Sequence, residues 1–194
     1  MTEKEKMLAG LLYLPFCDDD DTLSREREHC KRLCSRYNQL LYSQPEEAIA
    51  LLHQLLGPHG KEIWIEPPFW CDYGYGISTG ENFYMNHGCV ILDAGTVTFG
   101  DNVQVGPLCG FHTSGHPLDA AERQTGQEFG HPIRVGNNVW IGAGVQVMPG
   151  VTIGDNTVIG AGSVVTKDIP AGVVAVGNPC RVLRPITAAD KMLP

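Results

Sequence analysis

No run in this 194-residue sequence approaches the roughly 20 consecutive apolar residues that span a bilayer, so no membrane helix is expected. Basic residues are scarce. Fourteen Lys and Arg stand against 22 Asp and Glu, a net charge of −8, which excludes a general nucleic-acid binder that works by displacing counterions with surplus cations. Among the seven cysteines no two have C-x2-C spacing, and the odd, scattered count outlines no disulfide framework. Cys30 and Cys34 fall four apart in a helical pattern and read as two small core residues on one face. The opening MTEKEKMLAG has charge without the apolar stretch of a signal peptide, and the expectation is a soluble protein of a reducing cytoplasm. Charged residues make up 19% and hydrophobic ones 43%, which suits one folded domain and excludes a disordered chain.

Residues 1–60 read as a helical segment. EKEKMLAGLLY is apolar on one side and ends before the acidic run 18–21. In TLSREREHCKRLCSRYNQLLY, Leu23, Cys30, Leu33, Cys34, Tyr37, Leu40 and Leu41 keep close to a 3.6 period. SQPEEAIALLHQLLG opens with a capping-box spacing from Ser43 to Glu46 and runs into Gly57, a helix-stopping residue. Such short amphipathic helices need a larger body to lie against.

That body is a repeat. Steps of six from Val135 land on Ile141, Val147, Ile153, Ile159 and Val165; upstream the same step links Phe99, Val105 and Phe111. A weaker phase, Tyr73, Thr79, Met85 and Ile91, precedes them with a two-residue slip. Six is neither a helix period nor plain strand alternation. It describes a chain that runs extended, turns a corner and repeats, with one residue per side pointing inward. The corners need backbone conformations that most L-residues avoid, and GDN at 100, GNN at 136 and GDN at 154 supply Gly and Asn there. Three sides close a triangular coil, and stacked coils satisfy each other's backbone groups. An antiparallel sandwich would space its turns irregularly. Between Phe111 and Val135 the rhythm lapses, and an excursion from a regular solenoid is where function tends to reside.

The stretches CDYGY, NFYMN, TSGHP, NNVWIGAGV, VMPGVTIGDNTVIGAGSVVTKDIP and GNPCRV resemble the maltose and galactoside O-acetyltransferases of the hexapeptide-repeat family, and the resemblance runs nearly the whole chain. It implies a mainly β fold: a left-handed parallel β-helix over 61–185 carrying an extended loop at 112–134, after the N-terminal helical segment and before a tail at 186–194. It further implies acetyl-CoA as co-substrate, a sugar acceptor, and a homotrimer with active sites between subunits.

Acetyl transfer to a hydroxyl needs a base, because an alcohol is too weak an acid to attack unaided at neutral pH. In TSGHP the family's catalytic histidine falls on His116. His112, four residues earlier, reads as a packing or supporting polar group. A zinc site built on the pair, with His131 as a third ligand in the manner of β-helix carbonic anhydrases, is the lesser alternative, and no metal is expected. Glu128 of the same loop orients His116, contacts substrate or is a solvated carboxylate. The resemblance assigns acceptor contacts to Asp72, Tyr84, Asn86 and Asp93, with Asp18 as the choice from the acidic run; for Asp93 plain turn chemistry competes evenly. Coenzyme A contacts fall on Trp140, Ala143, Ala161, Thr166, Lys167 and Arg181, with Arg184 nearby for phosphate. The competing readings are an acetyltransferase for another hydroxyl acceptor, such as an oligosaccharide or an antibiotic, a β-helix metalloenzyme, and a non-catalytic scaffold.

Overall fold

A residue that points inward every sixth position needs a chain that extends briefly and then turns. The computed structural model, which describes residues 1–17 and 19–192, is built of such coils. The first coil holds β1 (Ile63–Ile65), β2 (Trp70–Cys71) and β3 (Ile77–Thr79). The second holds β4 (Phe83–Met85), β5 (Val90–Leu92) and β6 (Val97–Phe99). The third starts with β7 (Gln104–Val105) and β8 (Gly110–His112), then leaves the solenoid. The excursion is β9 (Ser114–Gly115), a helical turn at Ala120–Arg123 and β10 (Phe129–Gly130), after which β11 (Ile133–Val135) closes the coil. The fourth coil is β12 (Trp140–Ile141), β13 (Gln146–Val147) and β14 (Thr152–Ile153). The fifth is β15 (Val158–Ile159), β16 (Val164–Val165) and a single bridge from Ile169 to Ile153. β17 (Val173–Val176) begins another turn, and β18 (Arg181–Pro185) folds back antiparallel along it.

Matched strands stack in parallel into three faces. The first is β1-β4-β7-β12-β15-β17 with β18 outermost, the second β2-β5-β8-β13-β16, the third β3-β6-β11-β14. The result is the parallel coil that the period predicts and the left-handed β-helix that the resemblance implies. Its interior is a set of aliphatic and aromatic columns: Met85, Val105, Ile141 and Ile159 on the first face, Ile91, Phe111, Val147 and Val165 on the second, Phe99, Val135 and Ile153 on the third, all buried. Each such side chain contributes about 1.5–3 kcal/mol by leaving water.

One expectation about the column is corrected. Tyr73, which a six-residue step puts inside, is buried instead with Met7, Tyr13, Leu23 and Ala94 outside the coil. The early coils are longer than the late ones: Met85 pairs with Val105, but Ile141 with Ile159. The extra residues fall between the second and third faces, so Cys71, paired with Ile91, heads the column.

The corners between the third and first faces carry an asparagine ladder. Asn82, Asn102, Asn138 and Asn156 all have φ of 55–60°, a left-handed conformation that Asn tolerates better than most residues. Each amide donates to the next at 3.0 Å, from Asn82 to Asn102 to Asn138 to Asn156. Between the first and second faces Gly142 is required, since a Cβ there would sit 2.6 Å from the Ala161 nitrogen of the next coil.

Three helices cover the first coil. α1 (Glu3–Leu8) has a capping box from Thr2 to Glu5 and stops at Gly10, whose φ is 70°. α2 (Thr22–Leu40) buries Leu23, Cys30, Cys34 and Tyr37 against the coil, as its period predicts. The Tyr37 hydroxyl donates to the Ile65 carbonyl, and the Asn38 side chain bonds both the N–H and the C=O of Phe69. α3 (Pro45–Leu55) packs on α2 through Ala48, Leu51, Leu52 and Leu55. Two local expectations fail here. Pro45 occupies the first helical turn and makes Gln44 the N-cap, so Ser43 serves the end of α2, donating to Leu40 and Gln39 carbonyls. Gly57 does not end the helix by a left-handed turn; it allows close passage over the coil, where a Cβ would lie 2.6 Å from the Tyr75 carbonyl. Among the described residues no helix is long and apolar enough to cross a membrane.

Candidate functional site

The excursion leaves at the corner between the second and third faces and is pinned at its root. Thr113, fully buried, donates its hydroxyl to the Leu92 carbonyl and accepts from the Gly95 N–H at 2.8 Å. Beyond it β9 and β10 pair antiparallel, Gly115 with Phe129 and Ser114 with Gly130. One step further along that register, His116 faces Glu128, and Nε2 lies 4.0 Å from Glu128 Oε1. His116 Nδ1 lies 3.4 Å from the Gln127 carbonyl oxygen. A carbonyl only accepts, so when this contact closes to a hydrogen bond Nδ1 carries the hydrogen and Nε2 the lone pair. The ring is half exposed, whereas Glu128 is largely covered.

Glu128 is held by a residue the sequence reading passes over. Tyr13 makes an isolated antiparallel bridge with it, N–H to carbonyl in both directions at 2.9 and 3.0 Å, and its phenol donates to Glu128 Oε2 at 3.0 Å. Burial and the Glu128 charge push the Tyr13 phenol far up, so it remains a proton donor. Only the aromatic in LLYLP hinted at it; the contact spans 115 residues.

The same corner gathers further polar groups. Asp72 is buried, with Lys31 Nζ at 3.0 Å and Arg27 Nε at 3.8 Å. Arg27 lies over the rings of Phe16 and Tyr73, 5.4 Å from each centroid. Arg27 Nε and the Tyr73 hydroxyl are buried without a hydrogen-bond partner among the described residues. Orphaned donors of this kind in a polar recess suit a ligand rich in hydroxyls, and neither residue was singled out from sequence. Asp93 turns both oxygens onto backbone: Oδ1 accepts from the N–H of Asp72 and Tyr73, Oδ2 from that of Gly74. It therefore shapes the turn that presents Asp72. Burial pushes its carboxyl up to about 6, against the pull of those N–H bonds. Asp18 lies outside the described residues.

His112 is engaged elsewhere. Its Nε2 bonds the Gln146 side-chain oxygen at 2.8 Å. Among the described residues, no cluster of metal-ligating side chains includes His112, His116 or His131.

The remaining expected residues lie on other parts of the coil. Tyr84 and Trp140 project from the first face and are exposed, aligned through Gln104 between them. Tyr84 borders a groove of about 500 Å³ shared with Trp64, Asn82 and Asn102. Asn86 follows β4 at the next corner, its side-chain oxygen accepting from the His87 N–H. Ala143 and Ala161 stack at that corner, with the Gly162 N–H donating to the Ala143 carbonyl; the Ala143 N–H meets no acceptor among the described residues. Thr166 and Lys167 are exposed after β16. Arg181 and Arg184 lie on β18, and Arg184 forms a two-pronged pair with Asp190 at 2.7 and 2.8 Å. One chain thus brings His116, Glu128, Asp72 and Asp93 to one corner. Tyr84, Asn86, Trp140, Ala143 and Ala161 belong to the first face and the corner beyond it.

Known proteins with this sequence and shape fit the geometry. Residues 6–60 match the maltose acetyltransferase hexapeptide capping motif, and residues 132–167 match the bacterial transferase hexapeptide model of six repeats. The chain is 44% identical to the galactoside O-acetyltransferase of Escherichia coli (strain K12), over 98% of its own length and 93% of the relative's. It superposes on a maltose O-acetyltransferase from Clostridium difficile 630 with a TM-score of 0.93 at 51% identity, covering 96% of this chain and 98% of that one. A galactoside acetyltransferase in complex with coenzyme A gives a TM-score of 0.93 at 44% identity, covering 100% and 95%.

Proposed function

Because the chain belongs to the maltose and galactoside O-acetyltransferase family of hexapeptide-repeat enzymes, we propose that it moves the acetyl group of acetyl-CoA onto a sugar hydroxyl, with His116 as general base. The observation that carries the reading is the β9–β10 register, which sets His116 against Glu128 with Nδ1 beside the Gln127 carbonyl.

In the proposed reaction Nε2 takes the hydroxyl proton as the sugar oxygen attacks the thioester carbonyl carbon. The tetrahedral oxyanion is met by a backbone N–H such as that of Ala143, which has no acceptor among the described residues. Collapse breaks the C–S bond, and the imidazolium returns its proton to the departing thiolate. Ester and coenzyme A leave, and no acyl-enzyme forms. Glu128, steadied by Tyr13, favours the imidazolium while it lasts. Asp72 and Arg27, with Tyr73 above, hold the acceptor; Asp93 fixes their turn. Lys167 and Arg181 meet the phosphates of the coenzyme, and Arg184 joins them by exchanging its pair with Asp190.

The two sets of residues lie at different corners of one chain, and this supports a site completed by a second copy. The N-terminal corner and loop of one subunit would face the first face of the next, where Tyr84, Asn86 and Trp140 are exposed or half-buried. A homotrimer closes such a head-to-tail contact into a ring. A thiol-release assay of acetyl-CoA against a panel of mono- and disaccharides tests the reading. Turnover with at least one sugar is expected. Thiol release only with a non-sugar hydroxyl acceptor would replace the sugar by that acceptor.

A further inference from the structure

Three thiols of the molecule play no part in this reaction. Cys30 and Cys34 lie one turn apart on α2, on the face toward the first coil, and Cys71 of β2 meets them there. Cys71 Sγ is 3.5 Å from Cys30 Sγ and 3.7 Å from Cys34 Sγ, and the three sulfurs lie within 4.8 Å of one another. Their exposures are 1%, 0% and 0%, and none is in a disulfide. Metal–thiolate bonds of about 2.3 Å put the sulfurs of a tetrahedral site about 3.8 Å apart and those of a trigonal site about 4.0 Å apart. The two separations from Cys71 are therefore already close to ligating ones, and the third needs at most about 1 Å of closure. Among the described residues no histidine or carboxylate joins it as a fourth ligand. Structural zinc almost always takes four ligands. Copper(I), a soft ion selected by thiolate, is satisfied by three.

We propose that Cys30, Cys34 and Cys71 form a buried trithiolate site for copper(I), clamping α2 to the first coil. Loading makes three Cu–S bonds and releases up to three S–H protons to solvent, with no change of oxidation state. Lys31 supplies compensating positive charge beside the site, donating to the Cys71 carbonyl at 3.1 Å and to Asp72 at 3.0 Å.

The test is an anaerobic titration of the reduced, metal-free full chain with copper(I) against a competing copper(I) chelator. It is run on folded protein and again during refolding, because the site is sealed. The expected result is one tight equivalent per chain, thiolate-to-copper absorption, and a raised unfolding midpoint. Cys34→Ser and Cys71→Ser should each weaken binding by at least about 100-fold, whereas Cys17→Ser, outside the trio, should match wild type. Cys30→Ala provides a further arm if Cys71→Ser, inside the coil, does not fold. No tight equivalent in either wild-type preparation, or an equivalent retained in both Cys34→Ser and Cys30→Ala, overturns the site. Equally tight zinc, with a tetrahedral spectrum on cobalt substitution, overturns the three-coordinate ion.

Discussion

The imidazole of His116 stands between the Gln127 carbonyl, 3.4 Å from Nδ1, and the Glu128 carboxylate, 4.0 Å from Nε2. A positioned base of this kind is worth about 10²–10⁴-fold. His116→Ala should lower kcat by that factor, while KM for acetyl-CoA and the fold stay unchanged in steady-state kinetics and circular dichroism. His112→Ala, whose ring bonds Gln146 instead, should keep most activity. Turnover by His116→Ala within a few-fold of wild type would remove His116 as the base. Asp93 gives a prediction in stability. Its folded value is about 6, above the unfolded value of about 3.9, so between those limits the folded chain holds the extra proton. The contribution is full below about pH 4 and declines as pH rises through 6, by about 3 kcal/mol in all. In urea unfolding at pH 4.5 and 7, Asp93→Asn should lack that slope. The place of His116 in the loop was legible because a motif surrounds it. Tyr13, Arg27 and Tyr73 were not, because each acts through a contact made only when the N-terminal segment folds back onto the loop's corner.

Among the elements, the coil corners carry information in both sequence and structure. Asn138 sits mid-ladder at a φ of 55°, donating to Asn156 and accepting from Asn102. Asn138→Ala loses both amide bonds and strains a left-handed residue, a cost of about 2–4 kcal/mol. Asn138→Gly keeps the backbone conformation and loses only the bonds, about 1–2 kcal/mol. Thermal unfolding of the two variants separates the terms, and equal midpoints would deny the strain. The inward ladder was readable because one residue per side must be apolar. The slip before Phe99 lies where the period puts it, but the matching slip between Cys71 and Thr79, which ejects Tyr73, was missed, since extra residues in the early coils leave the period intact on either side. The Ser43 capping box was misread for a similar reason: Pro45 satisfies the same helix start without it.

At the scale of the whole molecule, the division of the expected site between two corners has a direct test. His116→Ala and Asn86→Ala, each inactive alone, should regain activity when unfolded, mixed and refolded together. With random assortment in a ring, about a quarter of the sites receive both intact residues. Light scattering should report a trimer for the wild type, and a monomer or an inert mixture would place the whole site within one chain. This division was invisible in the period, which records what points inward and is silent on what an outer face meets. The two ends of the solenoid have a different consequence. α2 closes the first coil by taking the backbone groups of Phe69 onto Asn38. At the far end β18 lies antiparallel on β17, exposed along its length and bearing Arg181, Arg184 and Pro185. A bare β17 would be an open edge. Because α2 closes the first coil of every copy, the partner left for that edge is the bare β17 of a second copy, so a chain ending at Gly177 should associate tip to tip in pairs and double the particle mass in light scattering, while the intact chain does not. β18 is in this sense a terminator, holding the edge of β17 away from a second copy.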